Sequence, residues 1–135
     1  NLLDELYVAG NASAQGDVPE TPVDRVLEYV RLHYMEEISL EGMSAHTHVN
    51  RTTLNRMFKQ RTGQTVIDYL LSYRLTMATE LLAHTGLTLD EIARASGFGY
   101  GTYLIRRFTA KNGRSPTAYR REAKAKYGIV IPPKT

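Results

Sequence analysis

From Thr21 onward the apolar positions recur every three to four residues, and no stretch alternates with a period of two, so the pattern predicts an all-α chain. Thr21 can cap a first helix, with Pro22 at its first position and Asp24 where a capping-box acid would sit; it is expected to run to about Glu36, with Val23, Val26, Leu27, Val30 and Tyr34 as its apolar stripe. Ser39 caps a short helix from Leu40 to about Thr47. After a turn at His48-Val49, Asn50 caps a helix from Arg51 to about Arg61, and Gly63 ends it. Thr65-x-x-Asp68 opens the longest helix, which stops before Gly86 and gathers Val66, Tyr69, Leu70, Tyr73, Met77, Leu81 and Leu82 on one side. Thr88-x-x-Glu91 is a further capping box; its short helix ends near Ala95, and Ser96-Gly97-Phe98-Gly99 makes the turn. The next helix starts near Tyr100–Thr102 and stops before Gly113, and Ser115-Pro116 opens a last one to about Tyr127. Residues 1–9 read as a short amphipathic helix on Leu2, Leu3 and Leu6, and residues 10–20 as a linker. The tail after Gly128, with Pro132-Pro133, is expected to be loose.

Beneath these elements lies a repeat of about fifty residues. SLEGMSAHTHV (39–49) aligns with TLDEIARASGF (88–98) and, after one extra residue in the second turn, LNRMFKQRTGQTVIDYL (54–70) aligns with LIRRFTAKNGRSPTAYR (104–120). Leu40, Met43 and Val49 recur as Leu89, Ile92 and Phe98; Leu54, Arg56, Phe58, Gly63 and Tyr69 recur as Leu104, Arg106, Phe108, Gly113 and Tyr119. Each copy is a short helix, a tight turn and a second helix. A turn of this kind crosses two helices so that the first braces and the second can project into a DNA major groove. One copy would be weak evidence, since short helical hairpins arise by chance and can serve packing alone; two in register weigh much more.

The fold expected is therefore a seven-helix bipartite domain over 21–128, preceded by an N-terminal helix remnant and linker at 1–20 and followed by the tail at 129–135. Its helix-turn-helix units occupy about 39–62 and 88–112, joined by a linking helix over about 66–84. That helix would span roughly 28 Å at about 1.5 Å per residue, comparable with the ~34 Å between successive major-groove segments on one side of B-DNA.

Charge sharpens this picture. The net charge is +3. Residues 1–41 hold two arginines against nine acids, whereas residues 42–135 hold the other 15 basic side chains against five acids. A basic C-terminal portion points to a polyanionic partner. The chain has no cysteine, which excludes disulfides, thiolate metal sites and cysteine nucleophiles and fits a reducing, cytoplasmic setting at the nucleoid. No apolar run approaches the ~20 residues that span a bilayer, so no membrane partner is expected. The first residue is Asn, which suggests a fragment of a longer protein.

In each second helix the apolar positions must face inward: Leu54, Met57 and Phe58 in the first, Tyr103, Leu104 and Phe108 in the second. The opposite face is left for DNA. In the first unit it carries Arg51, Thr52, Asn55 and Arg56, a set suited to base edges, because Arg pairs bidentately with guanine, Asn with adenine, and a Thr methyl can meet thymine. The second offers Thr102, Ile105 and Arg106 beside Gly101, a poorer set of donors in which Ile105 can pack only on a thymine methyl or the sugar wall. Phosphate contacts are assigned to Lys59, Arg61, Arg107, Lys111, Arg114 and Arg120, and to the helix N-termini at Thr65 and Ser115.

These residues also carry a family resemblance. Leu54-x-Arg56-x-Phe58-Lys59, Gly63, Tyr69 and Arg74-Leu75-x-x-Ala78-x-x-Leu81-Leu82 resemble the AraC/XylS regulators, as do Ile92-Ala93, Gly97-Phe98, Tyr103, Arg106-x-Phe108, Gly113, Ser115-Pro116 and Tyr119-Arg120. The match covers about residues 23–121. The resemblance implies a monomeric domain that binds double-stranded promoter DNA, regulates transcription (most often as an activator, by placing RNA polymerase), and belongs to a parent protein that can be dimeric. Any effector ligand would then bind a domain outside this chain. Tyr100-Gly101 and Ile105 depart from the small polar residues usual in the family at the second recognition helix.

Other classes fit less well. His46-x-His48 is a poor metal pair, since two residues apart does not place both on one helix face, and no third ligand is apparent. No carboxylate pair, Ser-His-Asp set or phosphate-binding glycine loop marks an enzyme, and no cofactor is expected. RNA-binding signatures and exposed stacking aromatics are not evident. A protein-interaction module, or a non-specific nucleic-acid binder that needs a missing domain for specificity, is the remaining alternative.

Overall fold

The structure, a computed structural model, describes residues 21–127, so the helix expected over 1–9, the linker and the tail lie outside it. The described residues form seven helices and no strand: α1 (Pro22–His33), α2 (Leu40–Thr47), α3 (Arg51–Thr62), α4 (Val66–His84), α5 (Leu89–Ser96), α6 (Gly101–Asn112) and α7 (Pro116–Tyr127). They divide into two compact units. One holds α1, α2, α3 and the start of α4 through Tyr69; the other holds Tyr34–Glu37, the rest of α4, and α5 to α7.

In the first unit α1, α2 and α3 pack on one another. The stripe read from the sequence supplies their core: Val23, Val26 and Val30 from α1, Met43 from α2, Leu54 and Phe58 from α3, and Val66 from the start of α4 are all buried. Removing side chains of this size from water stabilises by about 1.5–3 kcal/mol each. The helix starts follow the predicted caps. Thr21 and Asp24 exchange hydrogen bonds, and Ser39 Oγ accepts from Gly42 N–H at 2.9 Å. Asn50 Oδ1 likewise accepts from Thr53 N–H at 2.9 Å. Phe58 meets Tyr69 edge-on, with ring centroids 5.3 Å apart.

The second unit is built around Leu75, Ala78, Leu82, Ile92, Ala93, Phe98, Leu104 and Phe108, with Tyr103 and Tyr119 against them. Thr88 and Glu91 form the predicted capping box in full. Phe108 and Tyr119 repeat the edge-on pair of the first unit at 5.6 Å. Arg74 is only 9% exposed; it donates from Nε to Tyr34 O at 2.8 Å and from Nη2 to Glu36 O at 2.7 Å. These bonds explain a difference from the sequence reading, which carried α1 to Glu36. The chain leaves the helix after His33, and the carbonyls released at Tyr34 and Glu36 find their donor in Arg74.

Candidate nucleic-acid interface

In both units the turn forms on a left-handed residue. His48 ends α2 at φ 60° and Gly97 ends α5 at φ 96°. A buried hydroxyl one residue earlier braces each turn: Thr47 Oγ1 donates to Met43 O at 2.9 Å, and Ser96 Oγ to Ile92 O at 2.6 Å. Gly97 also has no room for a side chain, since a Cβ there would lie 2.3 Å from Tyr34 O and 2.6 Å from Arg74 Nε.

The second helix of each unit buries one stripe and exposes another. In α3, Leu54 and Phe58 are buried and Met57 half-buried, while Arg51, Thr52, Arg56 and Lys59 are exposed. In α6, Leu104 and Phe108 are buried and Tyr103 half-buried, while Thr102, Ile105 and Arg106 are exposed. Arg106 lies over the Tyr103 ring, 5.3 Å from its centroid. Arg51 reaches Glu41 Oε2 at 3.4 Å, an exposed pair that adds little to stability and does not tie the arginine down.

Asn55, expected to read adenine, is half-buried, and its Oδ1 accepts from Val66 N–H at 3.0 Å. Bidentate pairing with adenine needs that same oxygen as its acceptor. Here it caps the first residue of α4. Position 105 is the counterpart of 55, and position 116 the counterpart of 66. Proline has no N–H to satisfy, so the second unit needs no cap at that place and holds Ile105 there instead. The sequence carried this signal in the Asn55/Val66 and Ile105/Pro116 pairing across the repeat.

The starts of the two helices are arranged differently as well. Asn50 caps α3 with its own side chain, whereas Tyr100 makes no side-chain cap bond at α6. Asp90 Oδ1, from α5, instead accepts from Gly101 N–H at 2.8 Å. Gly101 is buried, and a Cβ there would sit 2.5 Å from that oxygen. Tyr100 itself is 76% exposed.

Several cations assigned to phosphate are engaged within the protein. Arg120 is half-buried and donates to Leu82 O at 3.0 Å and Thr85 O at 3.2 Å, closing the end of α4. Burial lowers its pKa, as it does that of Arg74. Arg61 pairs with Asp24 at 2.6 Å and donates to Thr21 Oγ1. Burial raises the Asp24 pKa, but hydrogen bonds from Arg61 and Thr21 and the arginine's charge outweigh it and hold the carboxyl below its ordinary range. Arg114 pairs with Glu122 and lies over Tyr119. That hydrogen bond raises the arginine's pKa and lowers the glutamate's; Arg114 is half-buried and Glu122 exposed. The hydroxyls of Thr65 and Ser115 cap Asp68 N–H and Ala118 N–H. Lys59 and Lys111 are exposed and Arg107 is half-buried; Lys111 lines a shallow groove with Glu80, Thr76 and Asn112 rather than the Thr102–Arg106 stripe. The His46 ring packs tilted against that of Tyr29, with centroids 5.0 Å apart, and His48 makes the turn.

The family described as a helix-turn-helix domain matches residues 43–122. The crystal structure of the DNA-binding domain of AdpA, a global transcriptional factor in complex with a target DNA, superposes with a TM-score of 0.77 at 28% identity, covering 82% of this chain and all of that one (100%). The C-terminal domain of AraT, a response regulator from Geobacillus stearothermophilus, gives 0.72 at 32% identity, covering 77% of this chain and 87% of that one. The HTH-type transcriptional activator RhaR of Cronobacter sakazakii is 33% identical over 83 residues, 62% of this chain and 29% of that protein. The chain spans less than half the length of curated relatives such as these.

Proposed function

The chain belongs to the AraC-type family of helix-turn-helix domains, and on that premise we propose that it binds double-stranded promoter DNA sequence-specifically and regulates transcription, as an activator acting with RNA polymerase. The observation that carries this reading is the repeated unit itself: two left-handed turns, each followed by a helix that buries a Leu/Phe stripe and exposes a basic one. In this reading α3 and α6 enter successive major-groove segments. Arg51, Thr52 and Arg56 read bases in the first, and Thr102, Ile105 and Arg106 in the second. Lys59, Arg107 and Lys111 serve phosphates with the N-termini at Thr65 and Ser115, while the exposed Arg114–Glu122 pair is weak enough for a phosphate to displace the carboxylate. Asn55, Arg61 and Arg120 hold the scaffold. This domain works as a monomer in the cytoplasm, at the nucleoid; effector binding and dimerisation belong to other parts of a longer parent protein.

Selection of bound sites from random duplex DNA, followed by titration of the winner at two salt concentrations, tests this. The expected result is an asymmetric site with two boxes about one helical turn apart, preferred over random DNA at both salts. If no sequence is enriched and binding collapses uniformly with salt, the chain holds only phosphates and the reading fails.

A further inference from the structure

The exposed stripe of α6 has an apolar centre. Ile105 is 37% exposed and Tyr100, at the start of the helix, 76%. Thr102 lies one turn before Ile105, Arg106 beside it and Thr109 one turn after, all exposed. The isoleucine adds nothing to the core of its own helix, which is made by Leu104 and Phe108. Nor does it inherit the capping duty of Asn55, because the residue that would need the cap is Pro116. An unpolar side chain is therefore held at the middle of a face whose neighbours are cationic or hydroxylic. The exposed guanidinium of Arg106 alongside favours a polyanionic partner.

We propose that Ile105 recognises the C5-methyl group of thymine in the major groove of the second box. The inference rests on the reading of α6 as a DNA-recognition helix. The C5-methyl is the one apolar group that base pairs present in that groove, and it stands beside hydrogen-bonding edges. A branched aliphatic side chain gains by covering it and can make no competing hydrogen bond. Arg106, held over Tyr103, supplies donors to a neighbouring base edge. The second unit thus selects by methyl contact where the first selects by hydrogen bonds from Arg51 and Arg56.

The experiment replaces each thymine of the selected duplex, one at a time, with deoxyuridine, which keeps every hydrogen-bonding group and removes only the methyl. Wild-type protein is expected to lose roughly three- to fivefold in affinity at a thymine of the second box, the factor for one buried methyl group. With Ile105→Ala that uridine penalty disappears, while thymine-to-uridine changes in the first box keep whatever effect they had. Cytosine methylated at C5, placed at the same position, should bind better than unmodified cytosine. Thermal unfolding of Ile105→Ala alongside confirms that the half-exposed site leaves the fold intact. The proposal is overturned if no thymine in the second box depends on its methyl, or if Ile105→Ala weakens the thymine and uridine duplexes equally. In either case a selected site would still exist, so the DNA reading would stand; if no site can be selected, that reading falls and takes this one with it.

Discussion

The two units make one motif from different materials. In the first, the second helix and its successor are both capped by side chains that sit on or beside the reading face, Asn50 and Asn55. In the second, Asp90 of the preceding helix takes the N–H of the first helical residue, Gly101, where Asn50 takes that of the third, Thr53, and Pro116 leaves no N–H to take. The turns differ in the same way. The first tolerates His48 at φ 60°, whereas the second closes so tightly over Tyr34 O and Arg74 that only Gly97 fits. Capping duty thus decides which residues on a recognition helix are free. In the first unit Asn55 is engaged as a cap, whereas in the second Tyr100 and Ile105 are exposed and Tyr100 makes no side-chain cap bond.

The largest test of this contrast is at the turns. Gly97→Ala would force a methyl against a backbone carbonyl at 2.3 Å in a left-handed conformation, and is expected to cost on the order of 3 kcal/mol, seen as a fall in Tm of more than about 10 °C. His48→Gly at the matching place should be neutral or stabilising by a few tenths of a kcal/mol, because it removes a left-handed penalty. Equal effects at the two positions would mean that the units close alike. Next in size is Arg74→Met, which keeps the apolar stem but leaves the carbonyls of Tyr34 and Glu36 without their donors. A loss of about 2–3 kcal/mol in urea unfolding is expected. No loss would mean that water replaces the guanidinium there at no cost.

Much of this molecule was legible in the amino-acid order. All seven helices and the caps at Thr21, Ser39, Asn50, Thr65, Thr88 and Ser115 followed from periodicity and side-chain type, since both signals act within a few residues. What the order hid were hydrogen bonds across long separations. Arg74 reaches back 38 and 40 residues to end α1 early, and Arg120 reaches back to close α4. Both look like solvated cations when only their neighbours in sequence are considered. The candidate site suffered from the same blindness: Asn55 has the right type and the right face for adenine, and only its bond to Val66, eleven residues on, gives it another task.

That bond supports a test of intermediate size. Asn55→Ala should cost about 1 kcal/mol by exposing one helix-start donor, whereas Asn55→Asp keeps the acceptor, favours the helix dipole and should be nearly neutral in stability. A base reader would behave otherwise: Asn55→Ala would leave stability unchanged and relax selection at a single adenine. In the second unit Pro116→Ala creates the missing N–H, and Ile105→Asn should rescue it. The expected coupling is about 1 kcal/mol in a double-mutant cycle; additivity within about 0.3 kcal/mol would show that positions 105 and 116 do not reproduce the pairing of 55 and 66.

The smallest effect separates the units by acid. The first unit ties α3 to the start of α1 through a titratable pair, Arg61 with Asp24, whereas the buried arginines of the second end on carbonyls that do not titrate in the working range. The Asp24 pKa is lowered in the folded chain. Its contribution is therefore complete above the unfolded value of about 4 and is lost as pH falls through the lower folded one. Arg61 is 45% exposed, so solvent screening holds the pair to less than about 1 kcal/mol. Asp24→Asn should accordingly weaken the protein by a few tenths to about 1 kcal/mol in urea at pH 7, with the gap to wild type closing toward pH 3. A gap that persists unchanged at pH 3 would assign the effect to lost capping of Thr21 rather than to the charge. Arg74→Met, measured over the same series, should keep its full penalty, because neither Tyr34 O nor Glu36 O gains or loses a proton there.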